Sequence, residues 1–272
     1  MSNFTKRTLT GIGLIVVVLT AVWLGAFCFA GLLLLINLLG LHEFYRMLET
    51  SPNRPVKIAV YILSASLIFS SLMVSSGMSW KWLLVNLPIA FSIFIIALYQ
   101  GRAKPFQGLA NTFLGIIYIS LPLCFFLVPP FLLQAGGVYH FQIPAGIFLL
   151  LWSGDTGAYL SGNLFGKHPL FQRISPHKTW EGSLGGAFAA LITAYVLSRY
   201  VNLLSVSQWE TLALIVIVFG TYGDLVKSML KRSVRVKDTG TILPGHGGVL
   251  DRFDSLLGAA PFILIYLTII WR

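Results

Sequence analysis

DLVKSMLKRSVRVKDTGTILPGHGGVLDRFD, residues 224–254, is a polar island in an apolar chain. It holds four of the nine acids, Asp224, Asp238, Asp251 and Asp254, and six of the nineteen Lys and Arg residues. Charges beside hydrocarbon are costly to hold, so a cluster of both signs there points to a use. The expected use is to bind a nucleotide's phosphates through a metal and basic groups, with the other apolar segments as a membrane frame.

The composition fixes the class. The 272 residues are 56% hydrophobic and 10% charged, and the mean hydropathy is +0.82. A soluble domain carries about 25% charged residues, so this reads as an all-α, polytopic membrane protein. The net charge of +10 is assigned to loops and an anionic membrane face rather than to nucleic acid. Cys28 and Cys124 lie far apart in apolar runs, which excludes a disulfide framework and a thiolate metal site. No repeat or linker divides the chain. One membrane-embedded domain is expected over 1–272, with 1–140 mainly scaffold spans and 150–254 the catalytic segment.

A span takes about 20 apolar residues. The run from Leu9 to Leu41 is too long for one, and Gly25 divides it into two. Its continuation past residue 30 favours an anchor over a cleaved signal peptide. Further spans are expected at 57–76, 82–99, 108–133, 143–163, 182–200, 210–230 and 254–271, about nine in all. Pro122, Pro129 and Pro130 should make the fifth irregular. With the N-terminus inside, sixteen Lys and Arg fall on the cytoplasmic side and three (Lys81, Arg199, Arg272) outside. The same alternation brings Asp155, Glu181, Asp224, Asp251 and Asp254 to the inner side, around a cytoplasmic-facing polar cavity.

Asp251 and Asp254, three apart at a helix start, can share a face. N-capping explains either alone; together, after Gly245-His246-Gly247-Gly248, they point to a hard divalent cation such as Mg²⁺. Asp224 follows an apolar run and forms a polar stripe with Ser228 and Lys231. A metal or a Lys partner would offset its cost, the metal being preferred, while Lys227 and Lys231 are read as snorkelling. Asp155, in WSGDTGAY, reads equally as an active-site acid or as polar glue satisfied by Thr156 and Tyr159. Gly154, Gly157, Ala158 and Gly162 around it allow close helix approach. In SPHKTWEG, Thr179 is a candidate N-cap and Glu181 falls in the first turn. Lys178 beside that helix start either receives a phosphate or belongs to a capped loop. GNLFGKH looks like a phosphate loop but is one residue short and has His where Ser or Thr should bind Mg²⁺. His246 lacks a second His or Cys for zinc, and no nucleophile–base pair stands out. Carboxylates, Lys, Arg and Gly-rich turns together match metal-assisted phosphoryl or nucleotidyl transfer.

These residues resemble the phosphatidate cytidylyltransferase (CDP-diacylglycerol synthase) family. The resemblance rests on Ser228, Lys231-Arg232, Lys237-Asp238, Pro244-Gly245-His246-Gly247-Gly248 and Asp251-Arg252-Phe253-Asp254, in full and at the family's spacing. WSGDTGAY and SPHKTWEG extend it to about residues 150–254. His177 stands where many members have a second Lys. The resemblance implies CTP and phosphatidate as substrates and CDP-diacylglycerol and diphosphate as products. It implies Asp224, Asp251 and Asp254 as ligands of one or two Mg²⁺ ions, with room for a further monovalent cation. Asp155, Lys231 and Lys237 join the catalytic set. Lys178, Arg232, Ser228, Asp238, Gly245, His246, Gly247, Gly248 and Arg252 would bind substrate. The expected setting is a bacterial cell (inner) membrane, with membrane lipids as partners, the N-terminus and active site cytoplasmic, and a homodimer left open. The alternatives are a CTP-dependent lipid-alcohol kinase and a cation-coupled transporter.

Overall fold

The computed structural model describes residues 3–48, 56–101, 103–133, 136–236, 239–240 and 247–271, with side chains from residue 10 onward. Lys237, Asp238, Gly245 and His246 therefore lie outside the described residues. The fold is all-α, and among the described residues seven helical segments are long and apolar enough to cross a membrane. One small hairpin, in what reads from sequence as a loop, is the exception.

Two compact units divide the chain: residues 1–141 with 236–252, and residues 142–235 with 253–272. In the first, α1 (Asn3–Trp23) and α2 (Ala26–Met47) split the first apolar run at Gly25 as expected. Gly25 sits at φ 116°, a conformation that side chains rarely adopt, so the break falls there. Next come α3 (Lys57–Ser75), a 3₁₀ turn leading into α4 (Asn86–Tyr99), and α5 (Pro105–Gly115). A π-helical turn, Ile116–Ser120, joins α5 to α6 (Leu121–Leu127), and Pro129–Phe131 closes the segment as 3₁₀. Pro122 has no N–H to give the preceding turn, and this span is irregular as the prolines predict.

Some buried polar groups inside this unit find each other. Ser120 donates to Asn37 Oδ1 at 2.8 Å, and Tyr45 donates to the Thr112 carbonyl at 2.6 Å. Apolar side chains instead point outward: Phe91, Leu98 and Tyr99 are 65%, 76% and 84% exposed. In water such a surface would aggregate; in a bilayer it faces its solvent.

The second unit holds α7 (Gln142–Phe165), β1 (Pro169–Phe171), β2 (Ser175–Thr179), α8 (Trp180–Tyr200), α9 (Val206–Ser233) and most of α10 (Leu250–Ile270). The strands pair antiparallel. Small residues set the α7–α8 approach, as WSGDTGAY predicts: a methyl on Gly157 would lie 2.5 Å from the Ala189 methyl. On α9 and α10, a methyl on Gly258 would come 2.5 Å from the Gly223 Cα, and Phe219 stacks on Phe262 with ring centroids 3.4 Å apart. That near-contact of backbones sets the carboxyl-bearing turns beside Gly223 and Gly258 side by side.

Two helices of the expected nine fall outside the seven apolar segments. α1 offers a shorter apolar stretch, Thr10–Trp23. α7 has 24 residues, but its second half is the polar SGDTGAYLSGN that shapes the site.

Candidate active site

Asp224 stands one residue after Gly223, where α9 meets α10. Its Oδ1 pairs with Lys227 Nζ at 2.9 Å, and its Oδ2 pairs with Lys178. Lys227 reaches on to Asp254 Oδ2, whose other oxygen accepts the Ser255 N–H at 2.8 Å. The result is a chain of alternating charge, Lys178–Asp224–Lys227–Asp254, drawn from the end of β2, from α9 and from α10. Lys227 and Asp254 are buried, their side chains 8% and 7% exposed, whereas Lys178 keeps 30%. Snorkelling, expected for Lys227, is thus corrected. At i,i+3 from Asp224 its ammonium turns inward, because two carboxylates compensate the charge there better than a distant interface does.

The described ion-pair partners of Asp224 are lysines. Two carboxylates converging on one ammonium also form a donor set that a hard divalent cation accepts, completed by phosphate oxygens. Asp224 and Asp254 fit Mg²⁺ in that sense. Among the described residues no group of three His, Cys, Asp or Glu side chains suits a metal, so phosphate or water would have to complete the shell.

A cavity of about 360 Å³ opens beside the charge chain. Its polar lining includes Asp155, Asn163, His177, Lys178 and Asp224, and its apolar lining includes Leu151, Val216 and Ile217. Asp155 and Lys178, distant in sequence, thus line one space with Asp224. The Thr156 hydroxyl donates to the Trp152 carbonyl at 2.7 Å. Thr179 caps α8 as predicted, accepting from Gly182 N at 3.1 Å, and this fixes Lys178 one residue earlier. Glu181 is drawn elsewhere, to His168 Nδ1 at 2.6 Å and the Lys167 N–H at 3.1 Å. GNLFGKH ends a helix rather than opening one, since Gly166 N–H donates to the Gly162 carbonyl at 3.0 Å. That is the wrong polarity for a phosphate loop.

Ser228 and Lys231 lie half-buried on α9, and Arg232 is exposed in its last turn. Both cations suit the negative end of the helix. In the first unit, Asp251 is half-buried and Arg252 exposed. Asp251 Oδ2 accepts from Thr239 N at 3.1 Å, Thr239 Oγ1 at 2.8 Å and Gly248 N at 3.4 Å. Gly247 holds φ 81° in the turn before α10.

Sequence reasoning passes over two groups here. Lys227 is misread because snorkelling and ion pairing look alike along one helix. Glu43 is overlooked altogether: it is 1% exposed and accepts the N–H groups of Val249 and Leu250, each at 2.9 Å. An acid within an apolar span is a signal in itself.

The profile of the cytidylyltransferase family matches residues 5–270. A phosphatidate cytidylyltransferase of Staphylococcus aureus (strain COL) is 36% identical over 268 residues, covering 96% of this chain and 98% of the relative. The protein so named in Staphylococcus haemolyticus (strain JCSC1435) is 34% identical, covering 96% and 98%. That of Bacillus subtilis (strain 168) is 34% identical, covering 99% of both chains.

Proposed function

We propose, because the chain belongs to the cytidylyltransferase family, that it transfers the cytidylyl group of CTP to phosphatidate. The lipid phosphate oxygen attacks the α-phosphorus of CTP, the bond to the β-phosphate oxygen breaks, and CDP-diacylglycerol and diphosphate result. The observation that carries this reading is the Lys178–Asp224–Lys227–Asp254 chain beside a half-apolar cavity.

The nucleophile is already an anion, so no strong base is required. The barrier is the approach of two like-charged phosphates, and placed cations lower it most. Lys178, partly exposed on the cavity wall, holds a phosphate oxygen there. Lys227 holds Asp224 and Asp254 close to each other. Those two carboxylates would hold Mg²⁺, which when bound neutralises triphosphate charge, and Asp251 is the further ligand that the family resemblance implies. Arg232, Lys231, Lys237 and Arg252 add positive charge for the departing diphosphate. Asp155 orients groups on the polar wall, and Leu151, Val216 and Ile217 accept the lipid's apolar part.

Purified protein in mixed micelles should convert CTP and phosphatidate to CDP-diacylglycerol with one diphosphate released per turnover. CDP and a phosphorylated lipid alcohol would instead indicate a kinase, and no nucleotide-dependent lipid product would indicate a transporter. In the same assay, Lys178→Ala should lower turnover at least about tenfold, the scale of a lost charge-assisted contact, with folding unchanged. Wild-type turnover would return SPHKTWEG to a capped loop.

The setting is the bacterial cell (inner) membrane, with nine spans counting α1 and α7, and with the N-terminus and the β1–β2 hairpin cytoplasmic. The sixteen-to-three bias of basic residues supports this orientation. With Cys28 replaced by Ser, a membrane-impermeant thiol reagent added from outside should label Lys81→Cys and spare Arg173→Cys. The opposite pattern overturns the orientation.

A further inference from the structure

We propose that Glu43 is a positioning residue for the cytidylyl transfer proposed above, on which this inference rests. Its carboxylate ties the first turn of α10, and with it Asp251 and Arg252, to α2.

The first N–H groups of a helix have no intrahelical partner and are usually met by a local cap or by water. Here the partner comes from about two hundred residues away. Val249 N–H donates to Glu43 Oε1 and Leu250 N–H to Oε2, each at 2.9 Å. A carboxylate so placed meets both the donors and the positive end of the helix. Those contacts offset the burial of an acid that Leu41 and Phe44, both fully buried, flank in sequence.

The surrounding backbone is shaped to this carboxylate. A methyl on Gly240 would come 2.6 Å from Oε1, and one on Gly248 would come 2.5 Å from Oε2. Only glycine lets both segments close around the group. Thr239 then links it to the proposed machinery. Its hydroxyl lies 3.2 Å from Glu43 Oε2 and 2.8 Å from Asp251 Oδ2. One hydroxyl proton serves one acceptor at a time, so the orientation of Asp251 depends on where Glu43 sits. A misplacement of about 1 Å outside the reacting centre can cost about 10²-fold in rate, which makes this link matter to turnover as well as to folding.

Glu43→Gln tests the link, because it keeps the shape and replaces one acceptor by an N–H₂ donor facing a donor. In the purified full chain, hydrogen exchange at the amides of Val249 and Leu250 should accelerate at least about tenfold, with α2 exchanging as in wild type. kcat should fall at least about tenfold, with a smaller change in KM for CTP. Wild-type exchange at 249–250, or accelerated exchange with wild-type kcat, overturns the proposal. Thr239→Val provides an arm that leaves Glu43 in place, should Glu43→Gln fail to fold. It should lower kcat about threefold or more without lowering the melting temperature, and wild-type kcat in this variant overturns the link. Exchange needs no substrate. Inactivity of the wild type toward CTP and phosphatidate would overturn the proposed activity alone, and the exchange comparison would still decide the anchor.

Discussion

Asp224→Asn lowers the formation of CDP-diacylglycerol from CTP and phosphatidate at least about 10²-fold, the scale of one lost electrostatic contact in a transition state. Asp224 is mid-helix, so capping does not account for it, and its two oxygens hold Lys178 and Lys227. The substitution keeps the shape and removes the charge. Lys178 then loses the partner that aims it along the cavity wall, and the proposed Mg²⁺ loses one of two convergent carboxylates. Lys227 keeps Asp254, so the variant should purify as a monodisperse protein. Raising Mg²⁺ should restore part of the rate if a weakened metal site is the cause. Near-normal turnover across a Mg²⁺ titration would sink both the metal assignment and the role given to Asp224.

Lys227→Met should destabilise the protein more than any other change in the site, by about 3–5 kcal/mol, the range for removing one partner of a buried ion pair. Methionine matches much of the lysine stem but leaves the buried Asp254 without the ammonium that reaches it. The double variant Lys227→Met, Asp254→Asn removes the stranded charge and should regain most of the stability while staying inactive. Unfolding in detergent measures the first effect and turnover the second. A single variant as stable as wild type would show that Lys227 does not compensate the two acids. A double variant no more stable than the single one would place the loss in packing instead.

Much of the frame is legible in the order of residues alone. The break at Gly25 follows from a residue that adopts positive φ without steric cost, and the irregular fifth segment from prolines that lack an N–H. Thr179 as the cap of α8 follows from local hydrogen-bonding chemistry. These features depend on neighbours within a few residues, so sequence order contains them. Hydropathy likewise determines the membrane class, because it sums over a whole helix. It is less decisive for α7, whose polar half is built for the site rather than for lipid.

The site residues are legible as types, and their partners are not. Sequence marks Asp224 as an acid needing compensation. It does not say that the compensation comes from Lys178 and Lys227, since the first lies in a hairpin far earlier in the chain. Nor does it say that Asp155 shares a cavity with Asp224, which depends on how α7, α8 and α9 pack. Glu43 is the clearest case: an acid in an apolar helix, meeting amides about two hundred residues on. The sequence by itself determined an all-α membrane protein with acids and lysines at helix ends, because burial, capping and charge cost are local or additive. Only the tertiary structure decided which charges neutralise which, because pairing depends on contacts between helices that small residues such as Gly223 and Gly258 allow to touch.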